Sequence, residues 1–158
     1  MADINLRPDL TRHLQQRLAA FQDGFRHNLA LVGPPGSGKT FQIQRLIAQP
    51  PPETVVIYCP VYRESCRSFL QRLVCAILHS GLGGPTGQSF EELLDRGAEA
   101  LPLTTGAMRP ITHLLARGAY GEAFNRALDG IPVLTEERRQ RVLLVLDEFL
   151  FLEELGLA

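Results

Sequence analysis

Lysine is almost absent from this 158-residue chain: Lys39 stands alone against fifteen arginines. A field of one charge sign is missing as well. The 16 basic and 17 acidic side chains are interspersed for a formal net charge of −1, so the composition supports neither nucleic-acid binding nor attraction to an anionic membrane. The longest purely aliphatic run, VLLVL at 142–146, is far too short to span a bilayer. Cys59, Cys66 and Cys75 are odd in number and lack CxxC spacing, and no apolar targeting stretch follows the acidic start MADINLRPD. A reducing cytoplasm is therefore the expected compartment. His13, His27, His79 and His113 fall on different predicted elements without metal-ligand spacing, and read as surface or capping residues. Internal repeats and low-complexity segments are also missing. The remaining composition, 45% hydrophobic and 21% charged, is that of a chain that folds, and its length suits one domain.

The periodicities place elements along the chain. Leu10, Leu14, Leu18 and Phe21 fall at helical spacing, with Asp9 placed to cap and Gly24 to terminate, which predicts a leading helix over 9–24. NLALVG at 28–33 is a short apolar run bounded by glycine and proline and predicts a buried parallel strand. A glycine-rich loop and a helix through about Ala48 follow, stopped by Pro50, Pro51 and Pro52. The β-branched TVVIYC at 54–59 predicts a second strand, parallel to the first because a helix separates them. Leu70, Leu73, Val74, Ile77 and Leu78 mark an amphipathic helix ending at Gly81, and the glycine-rich stretch after it reads as a loop. Ser89 and Glu92 form a capping-box pattern for a helix starting near Phe90. Pro110 suits the first position of a short helix, and Tyr120, Ala123, Phe124, Ala127 and Leu128 mark another. RVLLVLDEF, from Arg141, predicts a third strand that is apolar on both faces until its acidic pair. Arg138, Arg139 and Arg141 crowd the approach to it and read as a solvated face, the alternative being a contact for a neighbouring subunit or nucleic acid.

The lone lysine lies in GPPGSGKT, residues 33–40, which matches G-x-x-x-x-G-K-[ST] between a predicted strand and a predicted helix. Those eight residues, Gly33, Pro34, Pro35, Gly36, Ser37, Gly38, Lys39 and Thr40, are the candidate nucleotide-binding loop. Gly36 and Gly38 permit the backbone angles that turn successive N–H groups inward as a nest for phosphate oxygens, and the new helix adds the positive end of its dipole. Lys39 is placed to reach the β- and γ-phosphates as a compact ammonium, a shape that a planar guanidinium does not reproduce. The Thr40 hydroxyl is a candidate magnesium ligand.

The second candidate element is VLLVLDEF, an apolar strand ending in Asp147 and Glu148. A parallel strand that ends in Asp sets its carboxylate at the carboxyl edge of the sheet, where open α/β sheets bind ligands. Asp147 is thus a candidate to hold magnesium, usually through water, and Glu148 to accept a proton from an attacking water.

Together GPPGSGKT and VLLVLDE resemble the P-loop ATPases of the additional-strand, catalytic-glutamate class, the AAA+ branch in particular. The leading helix, the strand VVIYC and the long helix after it are similar to the ATPase domains of origin-recognition and archaeal-type proteins. The resemblance covers 9–80 and 141–150, whereas 81–140 is a helical insertion without a matching family motif. It implies an α/β, three-layer P-loop fold with a parallel sheet, and ATP and Mg2+ as cofactors. Lys39, with Glu148, takes a catalytic role; Thr40 and Asp147 are metal ligands, at a Walker A loop and a Walker B strand over 141–148. Family members add a strand with a polar sensor between the loop strand and the acidic strand, a sensor arginine, and an arginine finger received from a neighbouring subunit. Only FLFLEELGLA follows Glu148, so residues 1–158 are expected to be the N-terminal part of such a domain, incomplete after the Walker B strand. Mg2+-dependent ATP hydrolysis, needing the missing C-terminal elements or a homo- or hetero-oligomeric neighbour, is the expected function. The alternative is a nucleotide-gated binding module with little hydrolysis. A small-molecule kinase is a more distant reading, since no lid with phosphate-binding arginines is recognisable. ATP rather than GTP rests on the resemblance and on the lack of an NKxD-like motif.

Overall fold

The computed structural model of the chain describes residues 8–25, 28–83 and 88–157. These form two compact units, Met1–Pro52 and Glu53–Ala158, and each is described by itself.

The first unit holds helix α1, Pro8–Gln22, and helix α2, Lys39–Ala48. Asp9 sits inside the first turn of α1, not at its cap, and pairs with Arg12 at 3.3 Å. Gly24 terminates the helix as its position predicts: it takes φ +93°, and the Phe25 N–H returns to the Ala20 carbonyl at 3.0 Å. Residues 28–33 depart from expectation, for they form no strand. A strand is held by its ladder partner; this run has none among the described residues, and it leaves Leu29 47% and Val32 84% exposed. Of the residues in α2, Gln42 is buried, and its amide oxygen accepts from the Thr11 hydroxyl at 3.2 Å.

The second unit is built on strands β1, Thr54–Pro60, and β2, Arg141–Asp147, which pair in parallel from Thr54 opposite Arg141 to Pro60 opposite Asp147. The sheet is thus a parallel pair in an otherwise helical α/β unit. The strand at 54–60 does run parallel, but to the acidic strand. Between them lie α3 (Cys66–Leu82), α4 (Phe90–Ala100), α5 (Pro102–Met108), α6 (Ile111–Ala116) and α7 (Tyr120–Arg138); a short α8 (Phe151–Glu154) follows β2.

Helix α3 organises the core. Ser65 caps it by accepting from the Ser68 N–H at 3.1 Å, and Phe69, Leu70, Leu73, Val74, Ile77 and Leu78 are fully buried against β1, α4 and α7. Each such side chain contributes about 1.5–3 kcal/mol through removal from water. Gly81, expected to end this helix, lies buried within it, and Gly83 at φ +63° ends it instead. Part of the glycine-rich loop expected next, residues 84–87, lies outside the described residues, as does His27. Ser89 and Glu92 make the reciprocal capping box, and α4 starts at Phe90.

Residues 101–109 contain a helix that periodicity does not reveal. Leu101 leaves helical geometry and Pro102 restarts it as α5, so an apparent continuation of α4 becomes a second helix. Its N-terminus is capped from a distance: the Glu137 carboxylate of α7 accepts from the Leu103 and Thr104 N–H groups, both at 2.9 Å, and from the Thr104 hydroxyl at 2.6 Å. Pro110 is the N-cap of α6, one position before its expected place.

Burial alone would raise the Glu137 carboxyl, but the hydrogen bonds from Thr104 and Leu103 and the charge of Arg138 outweigh it and hold the group below its ordinary value. The stabilisation is therefore full above the ordinary carboxylate range and fades as pH falls through the lowered value. Glu137→Ala is expected to cost about 1–2 kcal/mol at neutral pH, the worth of a helix cap. Urea unfolding checks this, and the wild-type advantage should shrink in acid.

Candidate functional site

The loop at 33–40 is shaped by two glycines. Gly36 takes φ +74°, and Gly38, the N-cap of α2, takes φ +82°, both left-handed. A Cβ built at either position would meet nothing within 4 Å, so glycine is required there by backbone angle and not by crowding. The Ser37 N–H closes a turn onto the Pro34 carbonyl at 3.2 Å, and the Gln42 N–H begins the helix at the Gly38 carbonyl at 3.0 Å. No side chain caps α2, which leaves its leading N–H groups available to an anion. Lys39 folds back over the loop: Nζ donates to the Gly33 carbonyl at 2.8 Å and the Pro34 carbonyl at 3.1 Å. The ammonium is thereby held at the loop by neutral acceptors, which phosphate oxygens outcompete by charge. The Ser37 hydroxyl oxygen is buried without a partner. Thr40 is half-buried, one residue into α2.

In the second unit, the carboxyl ends of β1 and β2 lie side by side at Pro60 and Asp147. Asp147 is only 5% exposed, and a buried carboxylate needs donors. It has two: the Tyr58 hydroxyl donates to Oδ2 at 3.0 Å and the Glu148 N–H to Oδ1 at 3.0 Å. The Asp147 carbonyl accepts from the Val61 N–H at 2.8 Å, extending the strand pair into the next loop. Burial, then the hydrogen bond and charge of Asp147, push the Tyr58 phenol up to about 12, so it is a donor at neutral pH.

Glu148 is exposed and adopts φ +55°. Left-handed backbone costs a non-glycine residue about 1–2 kcal/mol. Glu53 and Arg139, before β1 and β2, share it, so the angle alone does not mark chemistry. At Glu148 it turns the chain out of β2, while the Glu148 N–H donates to the preceding carboxylate.

Lys39 and Thr40 thus occur together with the loop glycines in the first unit, and Asp147 and Glu148 are adjacent in the second. Tyr58 was not among the sequence candidates. The available signal was the alternation in TVVIYC, which buries Ile57 and Cys59 and sets a tyrosine on the opposite face near the strand's end. All three cysteines are free. Burial pushes each thiol up, Cys75 to about 11, which argues against a nucleophile.

Thr40 in the first unit offers a hydroxyl and Asp147 in the second a carboxylate, each a hard oxygen of the type that magnesium prefers. Among the described residues no group of three or more His, Cys, Asp or Glu side chains is placed to hold a metal. No helix among them is long and apolar enough to cross a membrane.

A family model described as AAA domain matches residues 24–156. The chain belongs to that family, the AAA-type P-loop ATPases, which bind nucleotide. No curated protein and no solved structure matches the chain.

Proposed function

We propose that the chain binds ATP with Mg2+ through residues 33–40 and hydrolyses the terminal phosphate in the cytoplasm. The observation that supports this most strongly is the loop itself. Gly36 and Gly38 are left-handed, α2 begins without a side-chain cap, and the chain's only lysine lies on the loop's own carbonyls.

In this reading the backbone N–H groups of the loop and of the first turn of α2 receive phosphate oxygens. Lys39 exchanges the Gly33 and Pro34 carbonyls for the β- and γ-phosphates, and Thr40 offers its hydroxyl to magnesium. Magnesium, when bound, neutralises charge developing on the terminal phosphates. Asp147 orders the metal's waters, and Glu148 accepts a proton from the attacking water. A neighbouring subunit supplies an arginine finger, which in enzymes that use one is worth about 10³–10⁵ in rate. Within the family, the leading helix, the strand at 54–60 and the helix after it support kinship with the origin-recognition and archaeal-type domains.

Steady-state phosphate release tests this: turnover should require ATP and Mg2+ together and stop with EDTA. Turnover that persists in EDTA, or nucleotide binding without any turnover at high protein concentration, contradicts the hydrolytic reading. The latter outcome supports a nucleotide-gated module.

A further inference from the structure

The hydrogen bond from Tyr58 to Asp147 joins a residue without an assigned role to a candidate metal ligand. We propose that Tyr58 is a positioning residue: its hydroxyl sets the orientation of the Asp147 carboxylate and thereby the strength of Mg2+-dependent nucleotide binding. This rests on the assignment of Asp147 to magnesium.

Three observations carry the inference. First, the two donors reach different oxygens, Tyr58 at Oδ2 and Glu148 N–H at Oδ1, each at 3.0 Å. One bond would leave the carboxylate free to swing about its own axis; two fix its plane. Each oxygen keeps a lone pair for a metal-bound water, since a carboxylate offers about four acceptor sites. Second, Tyr58 is opposite Val145 and Pro60 is opposite Asp147, so Tyr58 is Asp147's diagonal neighbour on the same sheet face. Only a long side chain spans that diagonal. Pro60 has no N–H to offer, so the donation from β1 to this carboxylate comes from the Tyr58 side chain. Third, the aromatic ring moves about only two torsions, so its hydroxyl is a stiffer support than a flexible polar chain would be.

Titration of the purified chain with a fluorescent ATP analogue, at increasing Mg2+ and separately in EDTA, tests this. In Tyr58→Phe, which removes only the hydroxyl, the Mg2+ concentration for half-maximal binding should rise about tenfold, roughly the worth of one charge-assisted hydrogen bond. Affinity in EDTA should not change. In an Asp147→Asn background, Tyr58→Phe should have little further effect. If Tyr58→Phe does not fold, Tyr58→Gln keeps a donor and should raise the requirement by less than tenfold. An unchanged Mg2+ requirement in a folded Tyr58→Phe chain overturns the proposal and leaves Tyr58 a packing role. A wild type whose binding ignores Mg2+, or an Asp147→Asn chain that responds to Mg2+ as wild type does, overturns the magnesium assignment and the Tyr58 role with it.

Discussion

Lys39→Ala should weaken binding of ATP with Mg2+ by about 100-fold or more, with little change in fold. The estimate follows from two charge-assisted hydrogen bonds to phosphate, each worth about 1.5–3 kcal/mol net, at tenfold in affinity per 1.4 kcal/mol. In the free chain the ammonium already bonds to the Gly33 and Pro34 carbonyls at 2.8 and 3.1 Å. Giving up those bonds offsets part of the gain, which favours the lower end of the range. The fold should survive because these contacts belong to a half-exposed loop, outside the buried helical core. Lys39→Arg separates charge from shape. It keeps the charge but brings a wide planar fork to a loop that closes around a compact head, so binding should still fall by about tenfold or more. Titration calorimetry on the three chains checks both steps. Wild-type affinity in Lys39→Arg would mean that charge alone matters.

Glu148→Gln should retain nucleotide and lose turnover, by about 10² to 10⁴, the usual contribution of a positioned general base. Glutamine copies the size of the side chain and leaves the backbone N–H on Asp147 in place. A loss of turnover with unchanged binding therefore isolates the proton acceptor. Glu148→Gly supplies a second, opposite readout. The residue sits at φ +55°, which glycine adopts without strain, so stability should be equal or higher by up to about 1 kcal/mol. Turnover should be lost all the same. Single-turnover phosphate release beside thermal unfolding measures the pair. Unchanged turnover in Glu148→Gln removes Glu148 from the chemistry; a destabilised Glu148→Gly shows that the left-handed angle is supported by side-chain contacts.

Local chemistry was the part of this molecule that could be read from residues alone. Gly36, Gly38 and Lys39 occur at a spacing that the backbone of a phosphate loop demands, and the Ser89–Glu92 box signals its helix within four residues. Helix α3 announces itself because its apolar side chains repeat at the pitch of the structure they form. Features that depend on distant partners were not readable. The run at 28–33 has the apolar composition of a strand, but composition does not supply the ladder partner that makes one. Helix α5 is separated from α4 at Leu101 and is capped by Glu137, 33 residues from Thr104, so no local window contains the group that stabilises it. Tyr58 looked like another strand residue until pairing in register with β2 brought its hydroxyl to Asp147 across 89 positions. The acidic pair was recognisable as a candidate; its supporting donor was not.

Titration of wild type and Lys39→Ala with ATP in the presence of Mg2+ tests the central claim most directly, that residues 33–40 form a nucleotide site. Saturable binding of one ATP per wild-type chain, lost or weakened by about 100-fold in Lys39→Ala, is the expected result. Equal binding by both chains, or none by a folded wild type, would contradict it.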